Sequence, residues 1–255
     1  MEDRQEALGA LLALWNEASR PLDPMPRDEM YRKMIALAAS YENVDAELSA
    51  RFTAIGYEGL GSFFLLNDNP VFAGSRFETA ARIREELAEK DGTLLNRFML
   101  AAAYRRLGLA YARSGEEHTA AAGDAYQRAA KILLRMSEAG EEWCFLSEKR
   151  ELEGDPGRRD YAMHMLLCTG IGSMMLAQQK DRWREARTLD NAMQMLMTEW
   201  RWAEAKAAAG FREEACQICG QLRQDAAQCR EEGYAAAACC EEAAGVILRR
   251  LGTEP

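Results

Sequence analysis

Helix-breaking clusters recur along this chain at intervals that leave room for single helices joined by tight reversals. They are "RPLDPMPRD" (20–28), "NDNP" (67–70), "EKDGT" (89–93), "RSGEE" (113–117), "EAGEE" (138–142), "EGDPG" (153–157), "QKDR" (179–182), "AAGF" (208–211) and "EEGY" (231–234). Each supplies Gly, Pro, Asn or Asp where a helix has to end. The segments between them carry helical periodicity. In 117–138, Ala121, Ala125, Ala129, Ile132, Leu133 and Met136 form one stripe at spacings of three and four. In 93–114, Leu95, Met99, Ala103, Leu107, Ala110 and Tyr111 do the same. Ala, Leu, Glu, Arg and Met dominate, residues that lose little on entering a helix, and runs rich in Val, Ile and Thr are missing. The reading is all-α. Short loops force antiparallel neighbours, so about ten or eleven helices follow one another as αα-hairpins. The 255 residues are expected to form a single all-helical domain, 1–255, with a sub-boundary near 154–157.

Charge narrows the partners. The net charge is −9, and basic residues alternate with acidic ones, as in "RIREELAEKD". A nucleic-acid surface needs clustered Lys and Arg to displace counterions, so nucleic acid is not an expected partner. No apolar run approaches the ~20 residues needed to cross a bilayer, and no membrane partner is expected. The start, "MEDRQEALGALLALWNEAS", reads as an amphipathic helix and not as a signal peptide. Seven cysteines, two of them adjacent at 239 and 240, fit free thiols in a reducing compartment, and a cytoplasmic location is the expectation.

The stretch "AYRRLGLAYARSG" (103–115) carries the most specific pattern. Tyr104, Leu107, Gly108, Tyr111 and Gly115 stand at the spacing of a tetratricopeptide helix A, and Ala122, Tyr126 and Ala129 follow as small–aromatic–small on the next segment. The chain here resembles a tetratricopeptide unit over residues 104–129. Looser echoes occur at Phe52, Ile55 and Gly56, at Ile171, Gly172, Met175 and Ala186, and at Trp202, Ala203, Gly210 and Ala215. The closing proline of the family is absent and the spacing between units is irregular. The resemblance implies hairpins stacked as a TPR-like superhelix; the competing architecture is an irregular closed helical bundle. A second echo pairs "GLGSFFL" (59–65) with "GIGSMML" (170–176). Glycine inside a helix costs ~1 kcal/mol relative to alanine, which the close approach of another helix backbone would offset.

Chemistry-bearing motifs are sparse. Cys216 and Cys219 form C-x-x-C, with Cys239 and Cys240 a hairpin away. These four are weak candidates for a metal, because structural zinc needs a tetrahedral set and the surrounding sequence is helical on both sides. The favoured role for the thiols is as small core hydrophobes. His118 is expected to be exposed at a helix start, and His164, near Cys168, to be packed in apolar company. No catalytic residue and no cofactor is assigned, and the chain is not expected to be an enzyme. Helix-repeat proteins bind segments along a concave face. Arg105 matches a position where relatives carry a basic residue that holds a peptide carboxylate, while Leu109 replaces the asparagine expected one turn later. Arg105, Arg106 and Arg113 are therefore the candidate partner-binding residues. Trp200 and Trp202 of "EWRWAEA" point to different sides of a helix, so that one can be core, and Trp202 is taken as the interface anchor. The expected function is that of a protein–protein interaction scaffold or peptide-binding adaptor, with a homo-dimer also open. The alternative is a Cys-based metal-binding or redox-sensing regulatory protein.

Overall fold

Helices begin and end where most of the breaker clusters stand. The computed structural model describes residues 2–18, 27–141 and 173–253, and no strand occurs among them. The chain divides into two compact units, Met1–His118 and Thr119–Pro255. The expected sub-boundary at 154–157 lies outside the described residues.

The first unit holds α1 (Glu2–Ala18), α2 (Arg27–Ser40), α3 (Ala46–Leu66), α4 (Pro70–Lys90) and α5 (Leu94–Ser114), closed by a 3-10 turn at Glu116–His118. Each helix packs on its neighbours in sequence, α1 on α2, α2 on α3, α3 on α4 and α4 on α5. The α2–α3 break at 41–45 carries neither Gly nor Pro, and sequence reading passed over it. It is made by Asp45, whose side chain accepts the Leu48 N–H at 2.9 Å and starts α3. That hydrogen bond and the Arg4 guanidinium hold the Asp45 carboxyl below its ordinary range.

The expected close approaches in the "GLGSFFL" stretch are made, but by side chains and not by a helix backbone. A Cβ at Gly59 would run into the ring of Tyr31 on α2, and one at Gly61 would lie 2.6 Å from the ring of Phe77 on α4. Gly56 gives its space to Ile35, at 2.5 Å. Glycine thus lets α3 take an aromatic ring from each side. Its second copy begins among residues outside those described. Gly59→Ala is expected to lower unfolding free energy by about 1–3 kcal/mol, overpacking outweighing alanine's better helix propensity. A urea midpoint no lower than that of the parent chain would contradict this packing.

The second unit holds α6 (Thr119–Glu138), α7 (residues 173–185), α8 (Leu189–Ala208), α9 (Arg212–Glu231) and α10 (Ala237–Arg250). The "QKDR" cluster was expected to break the chain. Instead α7 runs through it, because Lys, Asp and Arg on a solvated turn do not stop a helix without Gly or Pro. α10 packs on α6, α8 and α9, and α8 packs on α9. The buried stripe of α6, including Ala122, Tyr126 and Ala129, is covered by α10 and α8 within this unit. Trp200, Met193, Met195 and Leu196 of α8 are fully buried, as core residues, whereas Met174 and Met175 on α7 are exposed.

Helices α5 and α8 start and stop alike. Thr93 and Thr188 cap them, each accepting the N–H of the asparagine three residues on, at 3.4 and 3.3 Å. Those asparagines, Asn96 and Asn191, reach back with their amide to two carbonyls of the preceding helix and turn. Asn96 donates to Leu87 (3.3 Å) and Asp91 (2.8 Å). Asn191 donates to Arg182 (3.2 Å) and Ala186 (2.9 Å). Both helices then end at a glycine in the left-handed region, Gly115 (φ +123°) and Gly210 (φ +85°), after the same number of residues. One capping and stopping device is therefore used twice, once in each unit.

Candidate functional site

On α5 the candidate arginines have different surroundings. Arg105 is half-buried and Arg113 exposed. Arg106 donates from Nη1 to Glu58 Oε2 at 2.9 Å, and Arg84 Nε donates to Oε1 of the same carboxylate at 2.9 Å. Glu58 and Arg84 are buried, so three helices converge on one charge cluster inside the first unit. Arg106 is thereby a bracing residue whose head is turned inward to Glu58. The buried Nη2 of Arg84 has no hydrogen-bond partner among the described residues. Tyr104 donates its hydroxyl to Glu85 and Tyr111 to Glu78. Burial, with Glu78 beside it, pushes the Tyr111 hydroxyl up. His118, expected in solvent, is half-buried because its ring stacks on Tyr111 with centroids 5.8 Å apart.

Among the described residues, the most exposed large apolar side chain, Leu66, lies with two others at the turn between α3 and α4, at one end of the hairpin. Leu66 is 79%, Val71 58% and Phe72 55% exposed. Phe64 packs on Phe63 and on Phe72, with ring centroids 5.8 Å apart in each pair. The turn is held by Asn67, whose amide donates to the Phe63 carbonyl at 2.8 Å, and by Asp68 at φ +54°. Pro70 then opens α4 at its first turn, where its missing N–H costs nothing. Hairpin ends are usually polar, so exposed apolar side chains grouped at one of them make it a candidate contact surface. Sequence reasoning missed this site because it took "FFLL" as part of the glycine echo. The available signal was apolar residues flanking "NDNP" on both sides.

In the second unit Trp202 is half-buried, and its Nε1 is buried with no hydrogen-bond partner among the described residues. Two polar clusters lie deeper. Arg250 of α10 donates to both oxygens of buried Glu204, at 3.0 Å each, and Ser137 of α6 donates to Glu204 as well. Lys180 of α7 bridges Glu199 of α8 (2.6 Å) and Asp225 of α9 (3.0 Å). Glu199 is fully buried, and burial pushes its carboxyl up to about 8, with Asp225 adding to the shift and Lys180 opposing it. Both clusters tie helices together.

Cys216 is half-buried, while Cys219, Cys229, Cys239 and Cys240 are buried. Burial pushes the Cys219 and Cys229 thiols up to about 12 and raises those of Cys239 and Cys240 as well. A protonated buried thiol is a poor nucleophile and a poor ligand. No group of three or more His, Cys, Asp or Glu side chains placed to hold a metal occurs among the described residues. His164 and Cys168 lie outside them. At neutral pH N-ethylmaleimide should modify Cys216 at least about tenfold faster than Cys219, Cys229 or Cys240. Equal rates, read by peptide mass spectrometry, would contradict this order. No described helix is long and apolar enough to cross a membrane.

Compared with known proteins, the chain matches no family model, no curated protein and no solved structure.

Proposed function

We propose that this chain is a TPR-like helical protein that acts in the cytoplasm as a protein–protein interaction scaffold or peptide-binding adaptor, without catalytic activity. The observation that carries this reading is the apolar end of the α3–α4 hairpin, where Leu66, Val71 and Phe72 face solvent together. Hydrophobic anchors grouped in one patch supply most of the free energy of protein association. The repeat reading draws on the stacked neighbouring helices of the first unit and on the capping device shared by α5 and α8. Arg105 and Arg113 remain the candidate basic contacts. Charge reversal at Arg106 would set a second carboxylate against Glu58 and so is no clean test of binding.

The double variant Leu66→Glu/Phe72→Glu tests the patch. Both side chains are exposed, so the stability change is expected within about 0.5 kcal/mol at each site. Recovery of a partner that co-purifies with the parent chain should fall at least about tenfold. Unchanged recovery with the variant folded would remove the patch from the account. Light scattering on the same samples separates a foreign partner from a second copy of this chain.

A further inference from the structure

The apolar end of the α3–α4 hairpin has a cationic neighbour that sequence reading did not assign. Phe72 and Arg76 stand one helical turn apart on α4, about 6 Å along its axis, and so share a face. Arg76 is half-buried, and its Nε is shut off from solvent with no hydrogen-bond partner among the described residues. The other buried or half-buried arginines of the described residues are all engaged. Arg51 pairs with Glu47, and Arg84 and Arg106 pair with Glu58. Arg97 donates to the Gly92 carbonyl, and Arg105 and Arg223 have partners as well. Arg76 meets no carboxylate among the described residues. A guanidinium drawn partly out of water gains more from an anion than a fully hydrated one, and a buried N–H left unbonded is costly.

We propose that the segment docking at the α3–α4 turn carries an acidic side chain one helical turn from its apolar anchor, and that Arg76 receives that carboxylate. The proposal rests on the reading of this hairpin end as a contact surface. The anchor lies against Leu66 and Phe72, with Phe64 packed behind Phe72. One guanidinium balances one carboxylate and offers a planar fork to its two oxygens. A chain-terminal carboxylate is captured by a nest of backbone N–H groups. Past the first turn of α4 those groups are spent within the helix, and the Asn67 side-chain amide, next to Leu66, is committed to the Phe63 carbonyl. The acid is therefore a side chain. The net charge of −9 works against a long acidic tail, so a single acid among apolar residues suits this face. An amphipathic helix lying along α4 presents that pair at the required spacing.

Phage-displayed libraries of amphipathic helical peptides, selected on the full parent chain and on its variants, test the contact. The parent chain should enrich peptides with Asp or Glu one turn from a large apolar residue. Arg76→Glu should enrich Lys or Arg at that place, and Arg76→Met, which keeps the stem without the charge, should enrich neither sign. Circular dichroism checks that each variant folds as the parent does. In a peptide selected on the parent, replacing the acid by glutamine should weaken binding at least about fivefold, against less than about twofold for Arg76→Met. Apolar enrichment without an acid, or the same acid chosen by the parent and Arg76→Met, would overturn the carboxylate contact and leave the apolar surface standing. Equal enrichment on Leu66→Glu/Phe72→Glu, or none on the parent, would remove the surface itself. Light scattering that finds a dimer dispersed by Leu66→Glu/Phe72→Glu would make a second copy the occupant and overturn the proposal.

Discussion

Replacing Glu58 with alanine is expected to lower the unfolding free energy by about 3–5 kcal/mol. Arg84 is buried beside it, and after the substitution its guanidinium keeps no carboxylate partner among the described residues. The loss is mainly the cost of a stranded charge, not the net worth of the pair, and that distinction can be measured. In Glu58→Leu/Arg84→Met both buried charges are gone, while Arg106, less deeply placed, can turn to water. Most of the lost stability should return in the double variant. Urea denaturation of the single and double variants, monitored by circular dichroism, checks both statements. A single variant as stable as the parent chain would mean that Glu58 does not hold α3, α4 and α5 together.

Replacing Glu199 with glutamine is expected to flatten the dependence of stability on pH. The folded-state carboxyl titrates at about 8, above its ordinary value of 4.5, because burial disfavours the charged form. A group raised on folding contributes stability that is fully present below the unfolded value and is lost as pH rises through the folded one. In the parent chain this contribution declines between pH about 4.5 and about 8, by roughly 1.4 kcal/mol per pH unit over the steepest part. Glutamine resembles the protonated carboxyl and does not titrate. The variant should therefore match the parent near pH 5 and exceed it above pH 8, with Lys180 still facing Asp225. Thermal melts across that range read the difference. Parallel profiles for the two chains would show that Glu199 is not held neutral inside the fold.

Much of the fold was readable because helix ends are local. Gly115 and Gly210 stop α5 and α8 where the sequence placed breakers. Of the stripes read from spacing, Ala103, Leu107 and Ala110 of α5 and Ala125, Ala129, Leu133 and Met136 of α6 are buried, whereas Leu95, Met99, Tyr111, Ala121 and Ile132 are half-buried. Reading failed where one residue type can serve two ends. "QKDR" was polar enough to be a turn yet stays helical, and 41–45 lacked Gly and Pro yet turns on the Asp45 cap. Of the helix residues that carry the tetratricopeptide resemblance, Tyr104, Leu107 and Gly108 are buried, Tyr111 is half-buried and Gly115 is exposed at the helix end. Its implied basic contact is another matter. Arg106 looked like surface charge because its partner, Glu58, is 48 residues away, and no local pattern connects them. The carboxyl clusters around Glu199 and Glu204 were invisible for the same reason, since each joins three helices. The apolar hairpin end was present in the letters on either side of "NDNP". What concealed it was the assumption that apolar residues on a helix face inward.

Photocrosslinking in cells tests most directly whether that hairpin end is a contact surface. A benzophenone side chain introduced at Phe72 should yield one discrete crosslinked protein. The same group at Arg82, exposed on another face of α4, should yield none of it. No crosslink at position 72, or the same products from both positions, would contradict the reading of this chain as a helical scaffold that binds through the α3–α4 turn.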